Sequence, residues 1–194
     1  MTNFDAYVFS KQPGFDEAAT RTEFKKAVPL KTVVIYCYDP RAAGIPDAVA
    51  KAMSDEVYPG RIIRDANGNK VASSTTVFPV IVAGGRAADA LRSVTVAQHL
   101  FGIENVVVVH HTHCGATTFT ADGIIKAYQH EHHTDISDLY ERSNLCIGDL
   151  EASLKMDTRR VRESKGVPEH VNVYGYVYDI DTEQLTLVVE DRAR

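Results

Sequence analysis

Three short apolar runs stand out along the chain: Thr32-Val33-Val34-Ile35-Tyr36, Phe78-Pro79-Val80-Ile81-Val82-Ala83 and Asn105-Val106-Val107-Val108-Val109. Each is continuous rather than alternating, the pattern of strands covered on both faces in a parallel sheet. Between the second and third, Ala87, Ala90, Leu91, Val94, Ala97 and Phe101 mostly follow helical spacing. The segment therefore predicts a strand, helix, strand unit. Upstream, residues 15–28 set Ala18, Ala19, Phe24 and Ala27 among charges, which predicts an amphipathic first helix ended near Pro29. Further helices are predicted over 45–57, entered through Pro46, and, as one or two pieces, over 135–162. Residues 171–179 and 185–190 read as two strands joined as a hairpin, and the turn-rich 65–70 reads as a surface hairpin or a mobile loop. The expected fold class is α/β: a three-layer domain with a mostly parallel central sheet and an antiparallel C-terminal edge. It occupies residues 1–194 as one domain, with an N-terminal helical arm to about residue 30.

Composition narrows the partners. The chain has 194 residues, of which 44% are hydrophobic and 24% charged, enough for a sizeable core. Lys and Arg number 21 against 26 Asp and Glu, a net charge of −5, and the bases are scattered among acids. That disfavours a nucleic-acid surface, which rests on clustered cations, and leaves small molecules as the expected partners. No apolar run approaches the roughly 18–20 residues needed to span a bilayer, and residues 1–15 lack the pattern of a secretory signal. The expectation is a cytoplasmic protein with no membrane partner.

The chemistry gathers at strand ends. Cys37 directly follows the first run, while His110, His111, His113 and Cys114 follow the third. In open parallel sheets, ligands bind in the crevice outside the carboxyl ends of the strands. Zinc takes Cys and His ligands tetrahedrally, and a catalytic site keeps three protein ligands with one position open. Cys37, Cys114 and one imidazole make that count. His111 is preferred because a residue three positions before Cys114 can turn back to the same point as the strand ends. Asp39 and Arg41 alternate with Cys37 and so address the same crevice, where the carboxylate can accept a hydrogen bond from a metal-held water and the guanidinium can clamp the carboxylate. Two alternatives use the same residues: a closed, non-catalytic zinc domain with Asp39 as fourth ligand, or a metal-free redox pair of Cys37 and Cys114. Cys146 reads as core, His130, His132 and His133 as a solvated helix end, and Gly84-Gly85-Arg86 as a weak anion-cradle signal.

The pattern Cys37-x-Asp39-x-Arg41 followed by His111-x-x-Cys114-Gly115 resembles the β-class carbonic anhydrases. The likeness extends through Ala83-Gly84-Gly85, Leu91-Arg92-Ser93, the approach to His111, and Gly175-Tyr176-Val177-Tyr178-Asp179. Residues His110-His111-Thr112 and Thr117-Thr118-Phe119-Thr120 resemble the subgroup that also contains carbonyl sulfide hydrolases. The resemblance implies Zn²⁺ held by Cys37, His111 and Cys114, with Asp39 and Arg41 as the catalytic dyad. It further implies hydroxide attack on a small linear substrate, either CO2 or carbonyl sulfide, in a homodimer or dimer of dimers. This chain has Ile81-Val82 where the family usually carries Arg-Asn, His113 where an Asp is common, and Tyr38 and Pro40 where Ser often flanks the dyad. If Ile81 and Val82 approach the site, they give it an apolar wall.

Overall fold

A computed structural model describes residues 3–193; residues 1, 2 and 194, which belong to the expected 1–194 span, lie outside the described residues. In chain order the regular elements are α1 (Glu17–Ala27), β1 (Thr32–Cys37), α2 (Ile45–Ala52), β2 (Ile62–Arg64), β3 (Lys70–Ser73), β4 (Val77–Val82) and α3 (Leu91–Phe101). They continue with β5 (Asn105–His111), α4 (Ala121–His132), α5 (Arg142–Leu145), α6 (Leu150–Glu163), β6 (Asn172–Tyr178) and β7 (Leu185–Asp191). Two turns of 3-10 helix, Phe4–Tyr7 and Phe9–Lys11, precede α1.

One five-stranded sheet runs in the order β4-β1-β5-β6-β7. The pairs β1·β4, β1·β5 and β5·β6 are parallel, and β7 returns antiparallel along β6. The mostly parallel sheet with an antiparallel edge is therefore as expected. Every residue of β1 and β5 is buried, the reason their sequences are continuous apolar runs. Alternate side chains serve two cores. Val33, Ile35, Val106 and Val108 pack with Val94, Ala97 and Phe101 of α3 and with Leu154 and Val161 of α6. Val34, Val107 and Val109 pack on the opposite face with Ile45 and Val49 of α2. Pro79, which has no N–H to donate, is tolerated within β4 because this strand lies at the sheet edge and pairs only with β1.

The order of the strands places the crevice. From β1 the chain moves outward to β4, carrying α2 on one face; from β4 it crosses back past β1 to β5, carrying α3 on the other. Right-handed crossovers demand opposite faces for opposite directions of travel, so the strand order reverses around β1. The carboxyl ends of β1 and β5 thus open at a topological switch point.

Two details differ from the sequence reading, and a third selects between its alternatives. Helix α2 stops at Ala52 rather than near residue 57, because Met53 is extended (φ −112°, ψ 130°) and Asp55 takes a left-handed conformation (φ 65°). Helix α4 is read from the sequence only at its histidine end: Ala121, Ile124, Ile125 and Tyr128 do recur at helical spacing, but none of the helix's residues is buried. Between the alternatives for the turn-rich stretch, the chain forms the hairpin β2–β3, turned by Asp65, whose Oδ1 accepts from Asn67 N and Asn69 N, each at 2.9 Å.

Candidate metal centre

Cys37 is the last residue of β1 and His111 the last of β5, so parallel pairing brings both to one rim. Cys114 returns to that rim through a local device: His113 sits at φ 55°, a left-handed conformation that His tolerates better than most side chains. The turn is pinned to β6, where Thr112 N donates to the Tyr178 carbonyl (2.9 Å) and Ile180 N donates to Thr112 Oγ1 (3.1 Å). The ligand atoms of Cys37, His111 and Cys114 all lie within 4.8 Å of one another, and all three residues are buried. Asp39 is not part of that group.

The donor set fits zinc. Two sulfurs held at about 2.3 Å from one tetrahedral ion stand about 3.8 Å apart; the Sγ atoms of Cys37 and Cys114 are 3.9 Å apart. The His111 Nδ1 lies 2.9 Å from the Thr112 carbonyl oxygen, which can only accept, so Nδ1 carries the proton. Nε2 is left as a free lone pair, buried and without any protein partner among the described residues. Burial lowers the His111 pKa and so keeps the imidazole neutral, the form that ligates. Burial likewise pushes the Cys114 thiol up, so that in the absence of a cation the pocket prefers it protonated.

Asp39 and Arg41 form a fork. Asp39 Oδ1 accepts from Arg41 N (3.0 Å) and Nε (3.1 Å), and Oδ2 accepts from a terminal guanidinium nitrogen at 2.7 Å. The same nitrogen donates to the His113 carbonyl at 3.0 Å, tying the pair to the ligand turn. The hydrogen bonds from Arg41 hold the Asp39 carboxyl down to about 2, so it stays an acceptor throughout the neutral range.

A cavity of about 460 Å³ opens beside these groups, bordered by Cys37, Asp39 and Arg41 on one side and by Ala116, Phe119 and Leu145 on another. The apolar wall exists, but Ile81 and Val82 do not make it. Ile81 is 52% exposed on the edge strand, and Val82 packs against the α3 side of the core. Cys146, expected in the core, is half-buried and lines this cavity. Sequence reasoning does not find Asp157. This residue of α6 is fully buried against Arg86 and His110, with Arg86 Nε at 2.7 Å and His110 Nε2 at 3.2 Å from Asp157 Oδ2. Its one visible signal is an acid on the inner face of an otherwise amphipathic helix.

No family model matches the chain. Among curated proteins, it is 31% identical over 100 residues to β-carbonic anhydrase 1 of Mycobacterium tuberculosis, covering 52% of this chain and 59% of that protein. It is 25% identical over 111 residues to carbon disulfide hydrolase of Acidithiobacillus thiooxidans, covering 50% and 56%. The chain thus spans somewhat over half the length of these curated relatives. Over the whole fold, it superposes on the carbonic anhydrase of Streptococcus mutans with a TM-score of 0.62 and 25% identity, covering 97% of this chain and 99% of that one. In sequence and in fold, this chain resembles the β-carbonic anhydrases. The resemblance extends to carbon disulfide hydrolase, named for a linear molecule of the same shape as CO2. No helix among the described residues is long and apolar enough to cross a membrane.

Proposed function

We propose that this protein is a zinc enzyme that adds water to a small linear substrate, hydrating CO2 or hydrolysing its sulfur analogue carbonyl sulfide. The observation that carries the reading is the free Nε2 of His111 facing two thiols at metal-ligand separation, with the carboxylate next to them already clamped by Arg41. Cys37, His111 and Cys114 hold the metal. When bound, zinc acts as a Lewis acid that lowers the pKa of a water to roughly 7, supplying a nucleophile near neutral pH.

The chain's own residues do the rest. Thr112 fixes the His111 tautomer through its carbonyl, and the enclosed cysteines keep solvent away from the ligand bonds. Asp39, engaged by Arg41 on both oxygens, stays ionised and accepts a hydrogen bond from the attacking water, which orients it toward the cavity. This engagement favours three protein ligands and an open fourth position over a site closed by Asp39. Phe119, Leu145 and Ala116 offer an apolar wall suited to a substrate without charge or strong hydrogen-bonding groups. For CO2, the product is bicarbonate and a proton; for carbonyl sulfide, a thiocarbonate that breaks down to CO2 and sulfide. Because sulfur is the larger and poorer acceptor, the apolar wall disfavours carbonyl sulfide less than it does a more highly charged product. We also assign the chain to a homodimer or dimer of dimers in the cytoplasm, a reading whose oligomeric part is supported by the exposed Phe4, Tyr7 and Phe9 of its N-terminal segment and checked by light scattering.

The deciding experiment measures metal content together with the rates of CO2 hydration and sulfide release on one zinc-loaded preparation. One zinc per chain with measurable sulfide release, and CO2 hydration slower than in the family's ordinary members, is the expected result. A zinc-loaded protein with neither activity would overturn the catalytic reading, and a fully active metal-free protein would overturn the metal.

A further inference from the structure

At the back of the cavity, which Arg86 itself helps to line, lies a buried charged cluster that the metal chemistry does not use. Arg86, Asp157 and His110 are 2%, 0% and 0% exposed. Arg86 spends its fork on two different elements: Nε donates to Asp157 of α6, and one terminal nitrogen donates to the Cys146 carbonyl, each at 2.7 Å. The other terminal nitrogen, Asp157 Oδ1 and His110 Nδ1 have no protein partner among the described residues.

Stability does not account for this arrangement. A buried ion pair with unpaired polar atoms is commonly no better, and often worse, than well-packed apolar side chains of the same volume. Apolar residues would hold α6 against β5 equally well. They could not grip a backbone carbonyl. Cys146 opens the irregular link between α5 and α6, and it borders the cavity together with Asn144 and Leu145 at the end of α5. The next residue, Ile147, packs on the two cysteines of the metal centre and donates its amide to the Ala116 carbonyl at 2.8 Å. Helix α5 has only four residues and no side-chain cap, so it does little to hold its own C-terminal end.

We propose that Arg86 and Asp157 are positioning residues of the substrate cavity: Asp157 orients the Arg86 guanidinium, and Arg86 fixes the 144–146 wall, and with it Ile147, at a set distance from the metal ligands. The proposal rests on the cavity being the substrate site, and it assigns the pair to binding rather than to the chemical step. Asp157 is the anchor because it sits on a long helix packed against β5 and β6; Arg86 is the link because its rigid plane meets two acceptors at once.

The test is amide hydrogen exchange on the zinc-loaded full chain, comparing the parent with Arg86→Met/Asp157→Leu, which removes both charges together. Losing a charge-assisted tether should speed exchange across 142–149, the Ile147 amide included, by roughly tenfold or more, while β5 and the body of α6 keep their protection. In parallel, KM should rise by more than kcat falls. Should the double variant not fold, Arg86→Lys answers the same question, since an ammonium can keep Asp157 but lacks the planar fork, and the same local loosening is expected. Unchanged exchange over 142–149, or acceleration spread evenly through α6 and β5, overturns the proposal. The exchange readout needs no turnover, so a failure of the enzymatic reading would leave it intact and separately visible.

Discussion

Gly85 is a single point at which fold and metal centre can be perturbed together. It takes φ +68°, and a Cβ built there would lie 2.8 Å from the Val109 carbonyl oxygen and 3.2 Å from both Cys37 N and Tyr36 Cα. All three are backbone atoms of central strands, so none can swing aside as a side-chain tip would. Gly85→Ala therefore combines about 1–2 kcal/mol of left-handed backbone strain with about 1–3 kcal/mol for overpacking. Gly68→Ala separates the two, because Gly68 has a similar conformation (φ +83°) and nothing within 4 Å of the added Cβ. Urea unfolding of both variants in excess chelator, with matched m-values, should show Gly85→Ala the less stable by about 1–3 kcal/mol, the overpacking part alone. The clash pushes on the Cys37 amide itself, so zinc competition against a chelator should also weaken in Gly85→Ala and not in Gly68→Ala. Equal destabilisation by the two substitutions would refute the reasoning.

Cys37→Ser, His111→Ala and Cys114→Ser should each sharply reduce bound zinc by elemental analysis, whereas Cys146→Ser should retain it; full occupancy in Cys114→Ser would remove that ligand from the set. Asp39→Asn should keep its zinc and lose about 10–100-fold in turnover, and zinc loss as severe as in His111→Ala would instead make Asp39 a ligand. Because the Asp39 carboxyl is held at about 2, any stabilisation it contributes is present above the ordinary carboxylate range and disappears only as pH falls toward 2; an acid limb of turnover between pH 5 and 7 should therefore persist in Asp39→Asn. The raised thiol of Cys114 must lose its proton to ligate, so zinc affinity should increase with pH through the neutral range, about tenfold per unit for each proton expelled. A chelator-competition series showing no pH dependence would contradict that.

Much of this protein is readable along the chain because the information is local. Continuous apolar runs mark β1 and β5 since burial on both faces leaves little room for polar residues, whereas the equally apolar run of β4 marks a strand but not its place at the sheet edge, and the spacing Cys37-x-Asp39-x-Arg41 with His111-x-x-Cys114 is short enough for strand periodicity and one turn to determine. What the tertiary structure alone decided is whatever depends on contacts between distant segments. Asp39 turned to Arg41 rather than to the metal group because the guanidinium also found the His113 carbonyl, 72 residues away. The cavity wall passed from Ile81 and Val82 to Phe119 and Leu145, since β4 ends the sheet and directs Ile81 outward. Arg86, Asp157 and the Cys146 carbonyl are separated by up to 71 residues, and only the packing of α6 across β5 brings them together. A buried charge carries no periodic mark of its own in a sequence; its partner is chosen by the fold, because desolvation makes it costly until that partner arrives.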